Sequence, residues 1–244
     1  MKVENKKWRT VVISDLHLGS KACRAKDLAH FLEKLNCQTL ILNGDVIDGW
    51  AMKRGSQWKD KHSKVIKKIM KLAKNGTEVI WLRGNHDEFV KDFIPFFLGN
   101  VALKEDHKFL SSNGKTYYVF HGDVLDVFIT KIKWLAYLGS IGYDLALWLN
   151  RWYNKYREWR GLPYYSISMR IKSGVKKATN FINDFEENAV KLAHSHGADV
   201  AICGHIHQPN LNSNYMNSGD WCENCTALVE DFSGDWKILH FHEK

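Results

Sequence analysis

The sequence predicts an α/β fold built around a parallel sheet, and three observations carry that prediction. Continuous β-branched and leucine-rich runs of strand length recur through the first part of the chain. Stretches with apolar residues at helical spacing lie between them. The runs end in carboxylates, imidazoles or both, mostly beside a glycine, which is where open α/β sheets place their ligands.

The first run, Val11-Val12-Ile13, predicts a strand over Val11–Ser14 buried on both faces, and Gly19 punctuates its end. Asp15 and His17 follow. Two apart on an extended chain, they point the same way and can converge on one object. In "AKDLAHFLEKL", Leu28, Phe31, Leu32 and Leu35 recur at helical spacing, and "TLILNGD" at Thr39–Asp45 is the second strand. "HSKVIKKIMKLAKNG" sets Val65, Ile66, Ile69, Met70 and Ala73 on one stripe with lysines opposite, and Gly76 stops the helix. The third run, "EVIWLRGNHD", spans Glu78–Asp87. This βαβαβ start predicts parallel strands joined by right-handed crossovers. After Asp87 a helix is expected to about Phe97, and "KFLSSNGKTYYVFHGD" then reads as two strands around Asn113-Gly114. Residues 172–196 are expected to be helical, "ADVAICGHIH" is a further buried strand, and the tail alternates strand and turn through Gly219 and Ser233-Gly234.

At 244 residues the chain fits one large domain, or one domain with a sizeable insertion. Hydrophobic content of 45% and charged content of 25% exclude disorder and collagen-like bias. "MKVENKKWRT" holds no apolar signal core, so a cytoplasmic chain is expected. Five cysteines, an odd number, predict a reducing compartment and no disulfide framework. Cys222-x-x-Cys225 has no second pair with which to hold a structural zinc. The net charge of +8 favours an anionic partner: nucleic acid, an acidic membrane surface or a phosphorylated small molecule.

Five blocks carry the chemistry: Asp15-x-His17, Gly44-Asp45, Gly84-Asn85-His86-Asp87, His121-Gly122-Asp123 and Gly204-His205-x-His207. Their oxygen and nitrogen donors, with no thiolate, suit divalent manganese, iron or zinc, and there are enough for two ions. In this order the blocks resemble the calcineurin-like metallophosphoesterase superfamily. The resemblance implies a four-layer αββα sandwich and two divalent ions, with manganese the first choice and iron or zinc also fitting. It implies that Asp15, His17 and His207 hold one metal, that Asn85, His121 and His205 hold the other, and that Asp45 bridges them. His86 is then expected above the metals as the catalytic residue, with Asp87 orienting its ring. Two bridged ions about 3.5–4 Å apart activate water at neutral pH and clamp the oxygens of a phosphoryl group.

Between the fourth and fifth blocks lies "KIKWLAYLGSIGYDLALWLNRWYNKYREWRGLPYY". Its apolar run from Trp134 is broken at Asp144 and closed by Arg151, short of the roughly 20 apolar residues that span a bilayer. Two helices separated near Gly139–Gly142, or one long helix followed by an aromatic-basic one, both fit. Tryptophan and tyrosine beside Lys131, Lys133, Arg151, Lys155, Arg157 and Arg160 suit a membrane interface or an acyl-chain pocket. A packed helical cap or a dimer surface also fits. The expected division is a metallophosphoesterase domain over 1–123 and 171–244 with a helical aromatic lid over 124–170. This arrangement looks like the UDP-2,3-diacylglucosamine hydrolases of lipid A synthesis, in which a helical lid after the HGD block holds the acyl chains.

That likeness implies Trp134 and Trp148 on the acyl chains and Arg170, Ser173 and Lys177 on the sugar nucleotide. "MNSGDW" is similar to the same family's C-terminal hairpin, whereas well-known members read G-N-R-D where this chain reads Gly84-Asn85-His86-Asp87. The implied reaction cleaves a pyrophosphate to release UMP and diacylglucosamine 1-phosphate at the cytoplasmic face of the inner membrane. A phosphodiesterase of soluble nucleotides or nucleic acid is the alternative. The apolar insert speaks against an open basic groove for nucleic acid. The complete set of blocks speaks against a scaffold without turnover.

Overall fold

The computed structural model describes residues 6–128, 156, 159–161 and 184–241. The first strand, β1 (Trp8–Ile13), pairs in parallel with β2 (Cys37–Asn43), which pairs in parallel with β3 (Glu78–Leu82). α1 (Ala25–Lys34) and α3 (Asp60–Lys74) make the two crossovers, and a short α2 (Gly49–Lys53) precedes α3. Alternation along each strand buries both of its faces. Val11, Ile13, Leu40, Leu42 and Val79 pack with Leu28, Phe31, Leu32, Val65 and Ile69 of the helices. Val12, Ile41 and Ile80 pack into a second core with Tyr117, Val119, Val200 and Ile202 of the other sheet.

The expected helix from Asp87 to Phe97 does not form. A 3-10 turn over Glu88–Phe93 gives way to β4 (Phe96–Leu98), which returns antiparallel against β5 (Val101–Lys104). Pro95 explains the change. A residue before proline is driven out of the helical region, and Ile94 sits at φ −91°, ψ 134°. Strand β5, too short and too irregular to be read beforehand, extends the sheet beside β3.

The hairpin around Asn113-Gly114 forms as expected, with β6 (His107–Leu110) antiparallel to β7 (Thr116–Val119) and Gly114 at φ 80°. A helix covers 184–195, while 172–183 of the expected helix fall outside the described residues. Then come β8 (Val200–Cys203), β9 (Asn210–Leu211), β10 (Tyr215–Asn217), β11 (Thr226–Glu230) and β12 (Trp236–His240). One sheet runs β12-β11-β1-β2-β3-β5-β4 and the other β6-β7-β8-β10-β9. The ring of His196, at the end of the 184–195 helix, stacks on Tyr118 at 4.4 Å, the β7 side chain between two that face the other sheet. Helix, sheet, sheet and helix make the four layers. The chain divides into two compact units, Met1–Asp123 with Ala189–Lys244, and Val124–Asn188.

Candidate metal centre

The ends of β1, β2, β3, β7 and β8 lead directly into the five polar blocks. Backbone bonds tie these loops together. Asp15 N–H donates to Gly44 O (3.2 Å), His17 N–H to Asp45 O (2.9 Å) and Gly204 N–H to His121 O (3.0 Å). Among the described residues six non-glycine residues have positive φ, and five of them are Asp15, His17, Asp45, His205 and His207. Asp and His tolerate the left-handed region better than most side chains. Two glycines permit the close approach. A Cβ on Gly84 would collide with the Asp45 carboxylate and backbone, and one on Gly204 would lie 2.7 Å from Asp15 Oδ2.

Asp15, His17 and His207 present their ligand atoms to one point, and Asp45, His121 and His205 to another. His207 Nε2 lies 3.1 Å from Asp15 Oδ1 and 3.4 Å from His17 Nε2. His121 Nε2 lies 3.4 Å from Asp45 Oδ2 and 3.3 Å from His205 Nδ1. Two donors about 2.1 Å from a common ion and at tetrahedral or octahedral angles stand about 3.0–3.4 Å apart. The spacings therefore fit cations at both points. Asp45 reaches toward the first group as well, with Oδ2 3.8 Å from His17 Nε2. Asn85 Oδ1 is buried without a hydrogen-bond partner, a state that a cation would relieve.

Second partners set the ring orientations. His121 Nδ1 donates to Asn43 O at 2.9 Å, leaving Nε2 free to act as a ligand. Burial would lower the pKa of His121, but Asp45 and Asp15 outweigh it and push the value up to about 10. Burial likewise opposes ionisation of Asp15, and the neighbouring imidazoles hold it well below the usual carboxylate range. The loop after β10 buttresses the last block. Asp220 Oδ1 accepts from the Cys222 and Asn224 backbone N–H groups, Asn224 Nδ2 donates to His207 O, and Trp221 N–H donates to Asp15 O.

His86 lies beside both groups, with Nε2 4.0 Å from Asp45 Oδ2 and its ring 4.6 Å from that of His17. Asp87 does not orient it. The Asp87 carboxylate accepts instead from Gly84 N–H (2.7 Å), Val46 N–H (3.0 Å) and Trp81 Nε1–H (3.3 Å), and so pins the third block to the second. The ring meets Asp48, whose Oδ1 accepts from His86 Nδ1 at 3.0 Å and whose Oδ2 lies 3.4 Å from His17 Nδ1. Burial works against the Asp48 charge, yet its bonds with His17, His86 and Ala51 N–H hold the carboxyl well below its ordinary range. Sequence reading missed Asp48. The signal was its place three residues after Asp45 and directly before a short helix that it caps. Arg170, Ser173, Lys177, Trp134 and Trp148 lie outside the described residues.

Comparison with known proteins agrees with this geometry. A model of the calcineurin-like phosphoesterase family matches residues 9–209. A UDP-2,3-diacylglucosamine hydrolase of Vibrio atlanticus is 24% identical over 241 residues, covering 91% of this chain and 93% of its own. One of Azotobacter vinelandii is 24% identical over 243 residues, covering 92% and 95%. One of Hahella chejuensis is 25% identical over 217 residues, covering 86% and 85%. A solved structure of a Vps29 single mutant from Entamoeba histolytica overlaps 96% of this chain and 99% of its own at 13% identity, with a TM-score of 0.43, too loose a fit to carry weight. With the family model spanning all five blocks on the strand ends that assemble the centre, the chain is a hydrolase that belongs to the calcineurin-like phosphoesterase family.

Proposed function

We propose that the chain hydrolyses the pyrophosphate of UDP-2,3-diacylglucosamine to UMP and 2,3-diacylglucosamine 1-phosphate. The observation that carries a phosphoryl substrate is the pair of converging donor groups with Asp45 reaching both. The nucleotide-linked lipid is supported by the relatives of that name, aligned over nearly their whole length, and by the aromatic insert.

In this reading Asp15, His17 and His207 hold one cation, Asn85, His121 and His205 a second, and Asp45 both. Manganese is proposed first, and iron or zinc suit the same donors. When bound, such a pair supplies Lewis-acid activation of water and neutralises charge on the phosphoryl oxygens. The remaining work belongs to the protein. Asp48 accepts a hydrogen bond from His86 Nδ1 and so fixes the ring with Nε2 toward the centre, where it is proposed to serve the leaving-group oxygen. Trp50 lies tilted on the same ring at 4.3 Å and limits its rotation. Arg170, Ser173 and Lys177 are proposed on the sugar nucleotide, and Trp134 and Trp148 on the acyl chains. No helix among the described residues is long and apolar enough to cross a membrane; contact with the cytoplasmic leaflet through the insert is part of the proposal.

Incubating the manganese-loaded protein with UDP-2,3-diacylglucosamine and with the non-acylated UDP-sugar tests it. Faster UMP release from the acylated substrate, by tenfold or more in kcat/KM, is expected. Equal rates would return a soluble-nucleotide phosphodiesterase to first place.

A further inference from the structure

Strand β4 ends the larger sheet, pairing only with β5 among the described residues, so its outer backbone N–H and C=O groups face outward. Native edge strands are ordinarily guarded by charge or covered. Among the described residues this one is neither. Phe96, Phe97 and Leu98 are 44%, 66% and 59% exposed, and Phe93 just before them is 63% exposed. Apolar side chains therefore stand on both faces of a strand whose outer edge has no partner among the described residues, and Pro95 precedes the strand without interrupting it.

We propose that β4 is a homodimer interface, pairing antiparallel with the β4 of a second copy about a twofold axis at Phe97. In that register Phe97 faces Phe97 of the partner subunit on one side of the sheet, and each Phe96 neighbours the partner's Leu98 on the other. Such a contact is isologous: one patch serves both copies. A second copy fits better than a lipid surface on two counts. Hydrocarbon offers no partner to the free backbone groups, whereas another edge strand satisfies them. The segment 88–100 carries only Glu88, Lys91 and Asp92, no basic excess that would draw it to anionic lipid. The area suits a weak, concentration-dependent pair. Edge pairing covers the strand's backbone edge and only the flanks of Phe96, Phe97 and Leu98, on the order of several hundred Å² in all, the low end of the scale, where transient complexes lie.

Sedimentation velocity over about 1–100 μM tests the pairing, with Phe97→Lys as the variant; this side chain lies outside both cores, so folding should be spared. A wild-type dimer whose dissociation constant rises by at least about tenfold in the variant is expected. On a Cys222→Ser background, Phe97→Cys should cross-link to itself under mild oxidant while Leu110→Cys, exposed on the other sheet's edge, should not. A wild-type monomer throughout the range would overturn the proposal, whether or not it floats with anionic vesicles. So would a dimer indifferent to Phe97→Lys that fails to cross-link through residue 97.

Discussion

His86 sits between two carboxylates, and which of them serves it follows from direction and not from sequence distance. Asp87, its chain neighbour, turns its carboxylate to Gly84, Val46 and Trp81. Asp48, on another loop, takes the ring. Two substitutions should separate these roles. His86→Ala should keep both cations and lose about 10²–10⁴ in kcat. Asp48→Asn should lose about tenfold to a hundredfold, and because Asp48 also faces His17, part of that loss should appear as weaker metal binding. Elemental analysis beside kcat decides both, and loss of metal from His86→Ala would make His86 a ligand. The convergence of Asp15, His17, Asp45, His121, His205 and His207 was legible because each lies in a short block at a strand end; the place of Asp48 was not, since its partners come from distant blocks. A second residue predicts pH behaviour. Burial, helped by Lys104, lowers the pKa of His107 to about 4, against about 6.5 in an unfolded chain. Between these values the unfolded state binds more protons, so this contribution is complete above about pH 6.5 and is lost as pH falls toward 4. Urea midpoints measured across that window should fall less steeply for His107→Gln than for wild type.

At the scale of elements, βαβαβ and the hairpin at Asn113-Gly114 were readable because period and turn chemistry agree along each segment. The stretch after Asp87 was not. Its apolar residues suit a helix by spacing alone, and the decision falls to Pro95 and to pairing with β5, a contact only the assembled sheet provides. The loops at the strand ends are packed backbone to side chain, and Gly84 shows how little room they leave. Gly84→Ala would press a methyl group onto Asp45. The fold should survive, since the sheets and both cores lie elsewhere, while the second and third blocks separate. Calorimetric titration with manganese should then show at least one site weakened by about tenfold or more, and two unaltered sites would mean that the loops yield.

For the whole molecule, the candidate site was legible because five blocks fall in one order at the carboxyl ends of strands from both sheets. The substrate was not, since its determinants are expected in an insert whose aromatic composition fits several architectures. If Trp134, Leu138, Leu145 and Trp148 line an acyl pocket, polar replacements should raise KM for the diacylated substrate, each removing roughly 1.5–3 kcal/mol of apolar burial, and spare hydrolysis of a small chromogenic phosphodiester. Equal losses with a lower melting temperature would make the insert a packing element. The left-handed backbone of Asp15, His17, Asp45, His205 and His207 bears on heat tolerance. At about 1–2 kcal/mol each, these five positions hold strain comparable with the roughly 5–15 kcal/mol that keeps a domain folded. Cations bound only by the native state would offset that load by mass action, making them fastenings of the fold as well as reagents. Chelation should therefore lower the melting temperature by about 10–20 °C, at the 2–4 °C per kcal/mol usual for this chain length and about 5 kcal/mol for two well-occupied sites, and added manganese should restore it; an unchanged transition would show the strand ends bearing their strain unaided.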